Sequence, residues 1–507
     1  MSLPKLLFAS PQGEVMEHPE LLASVRSGEQ LLAPTETFIK LPSNAQLVHL
    51  PGRLPVGWDP KSGKLELLDK VTVAGKSFAP SAVGALLPPG YTRTLLPGEV
   101  KAGGPVLPQW AYTAAGWTKR GPVVWAVHTD RRRHWNPRRF SSPQLAPMIA
   151  NHRKRFPENK VLAQLEICAR SYRCFTSQNI FFVRDEGAIP ASVSCNARCV
   201  GCISEQPSGG PPASHSRMTD GPSFEEMAEV GAFHLSNARG RSMISFGQGC
   251  EGEPLTRYRA IAEAIRSIRR RTARGSININ TNGSLPHALA SLFDAGLDSV
   301  RISLNSASPS LYEAYYCPVG YGWDAVEASI ALARERGGYL AVNLLLLPGV
   351  TDRAGEVSVL ETLIRRYHID QVQTRNLCID PLQYVEVAHR MGSGGEPIGV
   401  EAMLSRLQKA APWLIVGNFA RGLQEIKAFD ALSASATLRY TATMPNLTFA
   451  TFPDCCQVLL RQLQKEGKEG ARNCVKGHAV SLEYAQVIEA KAAKRPTGPQ
   501  VPEKPAA

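Results

Sequence analysis

The 507-residue chain lacks any apolar run near the ~20 residues a membrane helix needs; stretches such as Leu340–Leu347 fall well short of that length. This excludes a membrane-spanning class. A basic-then-apolar secretion pattern is also missing from the first residues, so the expected address is the cytoplasm. Internal repeats are missing too, apart from one alternation described below. A chain of this length buries enough core to need no covalent staples. Its eleven cysteines therefore do not read as a disulfide framework. In a reducing compartment a tight cluster of thiols points to metal binding or catalysis.

The net charge of +13 admits a nucleic-acid partner, but the excess is spread along the chain. Two basic runs stand out. Arg266, Arg269, Arg270, Arg271 and Arg274 lie on an expected outer helix, where a solvated face accounts for them. Arg131, Arg132, Arg133, Arg138 and Arg139 surround Trp135, and this interleaved aromatic keeps RNA contact open as an alternative.

Residues 1–150 are rich in Pro, Gly and short β-prone runs such as Phe38–Leu41, Gln46–Leu50 and Val123–Val127. They predict a small β-rich N-terminal domain without a catalytic motif. Over residues 185–385 the texture becomes regular. Strand-like runs at Ala191–Ser194, Met243–Phe246, Ser276–Asn280, Ser299–Leu304, Tyr339–Leu347 and Gln371–Thr374 alternate with helical patterns at Phe224–Asn237, Leu255–Arg271, Leu285–Ala295, Ala325–Arg336 and Val357–Tyr367. Six βα units predict an α/β fold: a partial (β/α)6 TIM-like barrel of parallel strands, with chemistry at the C-terminal strand ends. Residues 386–489 read as a mixed C-terminal extension. The Lys-, Pro- and Ala-rich residues 490–507 read as a disordered tail.

The most informative segment is Ser192–Cys202, SVSCNARCVGC. It carries Cys195, Cys199 and Cys202 in a Cys-x3-Cys-x2-Cys loop directly after the first strand. Three thiolates on one short loop each take one iron of a 4Fe–4S cube and leave the fourth iron without a protein ligand. An open corner on a redox cluster permits a cofactor or substrate to bind and receive an electron. The rival is a non-catalytic zinc-binding scaffold, which would want four closed ligands. No fourth Cys or His follows at zinc-finger spacing; His215 and Cys250 are the nearest candidates.

This loop, placed after the first strand of a βα series, resembles the signature of the radical S-adenosylmethionine (SAM) superfamily. The resemblance spans about residues 190–380 and implies an oxidoreductase or transferase-type enzyme. In that family SAM chelates the open iron through its amino and carboxylate groups. One electron then splits the sulfonium into methionine and a 5′-deoxyadenosyl radical. The implied cofactors are a 4Fe–4S cluster, held by Cys195, Cys199 and Cys202, and SAM. The implied partners are a one-electron donor such as a flavodoxin or ferredoxin, and a substrate whose identity the resemblance does not give. Gly201 departs from the pattern, because the family usually places an aromatic just before the last cysteine.

Supporting motifs sit at the expected strand ends. In Gly247–Leu255, GQGCEGEPL, residues Gly252, Glu253 and Pro254 match the family's Gly-Gly-Glu-Pro motif, which holds the methionine amine; Glu251 stands where its first glycine is. A plain strand-to-helix turn with Pro254 in the first helical turn is the alternative. Thr281, Asn282, Ser303 and Asn305 correspond to polar residues used for the ribose and carboxylate of SAM, although helix capping explains each of them equally well. Arg375 suits a carboxylate on SAM or on the substrate, or a surface ion pair. An auxiliary cluster among Cys168, Cys174, Cys455, Cys456 and Cys474 is a further option, weakened by their spacing.

Overall fold

The computed structural model describes residues 2–239, 242–392 and 394–423. Cys455, Cys456, Cys474, most of the expected extension and the expected tail lie outside the described residues.

The alternating apolar runs form one sheet of seven parallel strands in chain order: β1 (Glu186–Ile189), β2 (Met243–Phe246), β3 (Ser276–Thr281), β4 (Ser299–Leu304), β5 (Tyr339–Leu346), β6 (Gln371–Asn376) and β7 (Ile415–Gly417). Every neighbour pairing is parallel, and the sheet curls into a half-barrel, as the alternation predicts. The outward-facing apolar side chains pack beneath crossover helices, and β-branched residues such as Ile244, Ile277, Val300, Val342 and Val372 are sealed from solvent.

Three helices precede the sheet: α1 (Leu145–Arg155), α2 (Lys160–Ser171) and α3 (Phe175–Phe182). The crossovers are α4 (Phe224–Asn237), α5 (Tyr258–Arg271), α6 (Pro286–Ala295), the pair α7 (Pro309–Tyr316) and α8 (Trp323–Glu335), and α9 (Ala354–Arg366), followed by α10 (Pro381–Arg390) and α11 (Val400–Ala410). Their ends obey local chemistry. Ser223 and Glu226 close a capping box on α4, and Asp380 caps α10 through the Leu382 N–H.

Two expectations need correction. The opening strand is Glu186–Ile189, not Ala191–Ser194, which already belongs to the loop beyond it. The stretch Ala191–Ser194 alternates like a strand, but its Ala191 and Ser192 N–H groups are taken by a side chain, so no ladder forms there. The fourth crossover also holds two helices where the periodicity suggested one, because α7 is short and ends at Cys317 in a left-handed conformation.

The N-terminal residues form an antiparallel sheet of ten strands, the last being Gly121–Val124, plus smaller pairings. This lobe packs on the C-terminal ends of β5 and β6. Arg93, fully buried, donates to the carbonyls of Leu346 (3.1 Å) and Leu377 (2.8 Å), and Thr92 meets Thr374 at 2.6 Å. Arg53, also buried, pairs with Asp380 and Glu99. The turn after β5 touches the lobe backbone to backbone, with Gly28 N–H donating to Pro348 O at 3.0 Å. Gly349 has φ +84°, and a Cβ there would lie 1.7 Å from Gly28 N. Gly349→Ala is therefore expected to cost at least about 2 kcal/mol, against roughly 1 kcal/mol for the positive φ alone. Gly63→Ala, at φ +67° with open space around it, is the matched control. Urea unfolding followed by tryptophan fluorescence checks this, and equal costs at the two positions would contradict the contact.

Candidate functional site

The cysteine loop is gripped from two sides. On one side is the segment after β2. Gly252 N–H donates to Ser192 O and Glu253 N–H to Ser194 O, both at 2.8 Å. A Cβ on Gly252 would stand 2.0 Å from Ser194 O, so this approach requires glycine. Glu251 reinforces the grip. Its Oε2 accepts from the Ala191 and Ser192 N–H groups at 2.7 Å each, and its Oε1 from Gln248 N–H at 2.7 Å. Burial pushes this carboxyl up to about 8 against those three donors.

On the other side is the end of α7. Val200 N–H donates to Tyr315 O (2.9 Å), Arg198 N–H to Tyr316 O (3.0 Å), and Val319 N–H to Asn196 O (2.9 Å). Ala197 bridges to Pro318. Tyr315 also explains the departure at position 201. A Cβ on Gly201 would meet the Tyr315 Oη at 2.8 Å, so the space beside the last cysteine is filled by an aromatic from α7.

The residues expected to act together do converge here, in part. Glu253 accepts from the Thr281 hydroxyl (2.5 Å), Asn282 N–H (2.8 Å) and Leu255 N–H (3.0 Å), with its carboxyl pushed up to about 7 by burial. Its two oxygens thus tie the end of β2 to the end of β3. Pro254 opens the short 3-10 turn Pro254–Arg257. The Asn282 amide donates to Asn196 Oδ1 at 2.9 Å, and Asn196 donates to Ser284 at 2.9 Å, which brings β3 to the cysteine loop itself. Ser303 sits half-buried near the end of β4. Asn305 turns away, its amide donating to Leu311 O (3.0 Å) and the Tyr384 hydroxyl (2.9 Å), while its Oδ1 is buried without a partner. Arg375 points into the barrel rather than to a surface ion pair, donating to Gln373 at 2.8 Å. Burial, then the neighbouring Arg301, lowers its pKa to about 10.

Burial raises the Cys195 thiol. It holds Cys199 well above the ordinary range, with Cys202 and Cys195 adding to the effect. Three crowded thiolates need positive charge beside them. Arg217 supplies some: its Nη2 donates to Cys202 Sγ at 3.5 Å and its Nε to Ser204 at 3.2 Å, while Glu205 pairs with the same guanidinium. Three free thiols carried on one short loop are the donor set that three irons of a cube take, so the residues fit a cluster.

Sequence reasoning missed Glu251, Tyr315 and Arg217. Glu251 was read only as a departure from a motif, and nothing local marks the other two. Trp135 is buried and stacks on Phe419 at 5.1 Å, so it offers no face to a base. Cys168 and Cys250 are buried beside each other under the loop. A cavity of about 400 Å³ opens along β1, lined by Trp135, Phe140, Phe175, Asn179, Glu186 and Phe419 among others.

Comparison with known proteins agrees with this geometry. A profile of the radical SAM superfamily matches residues 189–358. GTP 3′,8-cyclase of Heliobacterium modesticaldum is 30% identical over 176 residues, covering 34% of this chain and 50% of that protein. The Microcystis aeruginosa GTP 3′,8-cyclase is 31% identical over 122 residues, covering 23% and 36%. The chain spans about half the length of the curated relatives it matches. Among solved structures, Streptococcus suis SuiB bound to S-adenosylmethionine matches with a TM-score of 0.30 and 15% identity, over 43% of this chain and 46% of that one. At that score the likeness carries no argument.

The Gly252 contact gives a direct test. Gly252→Ala is expected to loosen the cysteine loop, so that its thiols react several-fold faster with a disulfide reagent in the metal-free protein. Gly422→Ala, where a Cβ meets nothing closer than 3.7 Å and φ is not positive, should leave the rate unchanged.

Proposed function

Residues 189–358 make this chain a member of the radical SAM superfamily, whose members use a 4Fe–4S cluster and SAM, and from that premise we propose that it catalyses radical chemistry on a substrate bound at the barrel mouth. The observation that carries the reading is the double grip on Ser192–Cys202, which presents Cys195, Cys199 and Cys202 at the end of β1. When bound, the cluster supplies the electron that divides SAM into methionine and a 5′-deoxyadenosyl radical.

The chain's own residues prepare that site. Cys195, Cys199 and Cys202 would hold three irons of the cluster. Gly252 and Glu253 keep the loop at a fixed distance from β2 and present a peptide edge suited to an ammonium group. Thr281 and Asn282 are locked through Glu253, so the end of β3 is rigid before a ligand arrives. Ser303 offers a hydroxyl from β4. A one-electron donor of the flavodoxin or ferredoxin kind is the expected partner. The GTP 3′,8-cyclase relatives, matched over 122 to 204 residues, support the catalysis. Substrate choice belongs to the flanking parts of the chain. No helix of the described residues is long and apolar enough to cross a membrane.

Anaerobic reconstitution is expected to give about four iron and four sulfide per chain. Cys199→Ala should abolish both the cluster's visible absorption and SAM cleavage under dithionite, while Cys317→Ser, an exposed thiol at the end of α7, keeps them. Stoichiometric zinc in a colourless protein would overturn the proposal. Arg217→Gln removes a charged N–H donor from the Cys202 sulfur and should lower the cluster's midpoint potential by roughly tens of millivolts. A redox titration monitored by electron paramagnetic resonance measures that shift, and an unchanged potential would show that Arg217 serves only its contacts to Ser204 and Glu205.

A further inference from the structure

We propose that Arg375, with Arg301 and the Gln373 amide beside it, forms an oxyanion site inside the barrel, and that the substrate carries a matching carboxylate or phosphate. This rests on the radical SAM reading and names the substrate class it would serve.

Inside the barrel, two donors converge on one acceptor. Gln373 Oε1 accepts from Arg301 Nη1 at 3.2 Å and from Arg375 Nη2 at 2.8 Å, so two guanidinium groups converge on one neutral oxygen. Gln373 is completely buried, and its Nε2 has no partner. Glu186 neutralises Arg301, which also donates to Ser245 at 2.8 Å. For Arg375 no carboxylate among the described residues forms an ion pair, and its hydrogen bond is to the Gln373 amide. Glu186 and Asp130 act on the Arg375 charge from farther off, yet neither forms an ion pair with it. Buried charges are ordinarily paired, because an isolated one is strongly disfavoured.

Position points the same way. Arg375 lies one residue before the end of β6, opposite Leu345 of β5, at the strand ends where barrel chemistry occurs. It is only half-buried, so a ligand can reach it. A guanidinium fork suits planar carboxylates and phosphates and repels cations.

The test uses the full-length reconstituted protein and calorimetric titration with inorganic pyrophosphate, succinate and SAM. Wild type is expected to bind one of the two oxyanions, and which one distinguishes phosphate from carboxylate. Arg375→Gln should weaken that binding tenfold or more while SAM affinity changes less than threefold. Arg375→Lys, which keeps the charge without the fork, should retain an intermediate affinity and guards against a folding defect. Absence of oxyanion binding in wild type, or equal binding in all three proteins, overturns the proposal. A tenfold loss of SAM affinity with oxyanion binding unchanged also overturns it, by assigning Arg375 to the methionine carboxylate. Failure of the radical SAM reading would show separately, as a wild-type chain without iron and sulfide.

Discussion

The approach of Gly252 to Ser194 fixes everything else at this site. Three thiols can hold three corners of a cluster only if the loop that carries them has one shape. A free eleven-residue loop has many, and each ordered backbone residue costs roughly 1–2 kcal/mol. Here the ordering is done by peptide groups rather than by the thiols. The segment after β2 and the end of α7 each add backbone hydrogen bonds to the loop, like strands flanking a third. Glu251 then occupies N–H groups that would otherwise lengthen β1. The same carboxylate that ends the strand starts the loop.

The electrostatics divide by depth. Near the cysteines, the thiols and the carboxyls of Glu251 and Glu253 are crowded and buried, and burial raises all of these acids above their ordinary values. Deeper in the barrel, Arg301 pairs with Glu186, and Arg375 feels both Glu186 and Asp130 without an ion pair to either. The barrel is therefore polar at its centre, unlike the apolar layers that fill a closed TIM barrel.

Much of this was legible in the sequence because it is periodic or local. The β-branched runs located β2 to β6 within a residue or two, and Phe224–Asn237 was read to its ends from its helical pattern. The three cysteines and Gly252-Glu253-Pro254 were visible as spacing. What escaped depends on contacts distant in sequence. The true β1 is only four residues long, and the alternation of Ala191–Ser194 imitated it. Tyr315 fills the space at Gly201 from more than a hundred residues away. Arg217 lies in a segment with no pattern of its own. Asn305 and Thr281 looked alike as strand-end polar groups, yet one braces α7 and α10 while the other braces Glu253.

The segments at the ends of β5 and β6 carry backbone carbonyls that face the N-terminal lobe. The lobe meets them through one side chain. Arg93, sealed from solvent, donates to the carbonyls at the end of β5 and just beyond β6, and to Tyr112 O within its own lobe. Its backbone N–H is taken by Asn376, whose amide returns a bond to Tyr91 O. Buried carbonyls and a buried guanidinium are each costly alone and acceptable together. The lobe is thus fastened at the strand ends themselves, beside Arg375 on β6. The lobe therefore forms one flank of the barrel mouth, on the side of β5 and β6.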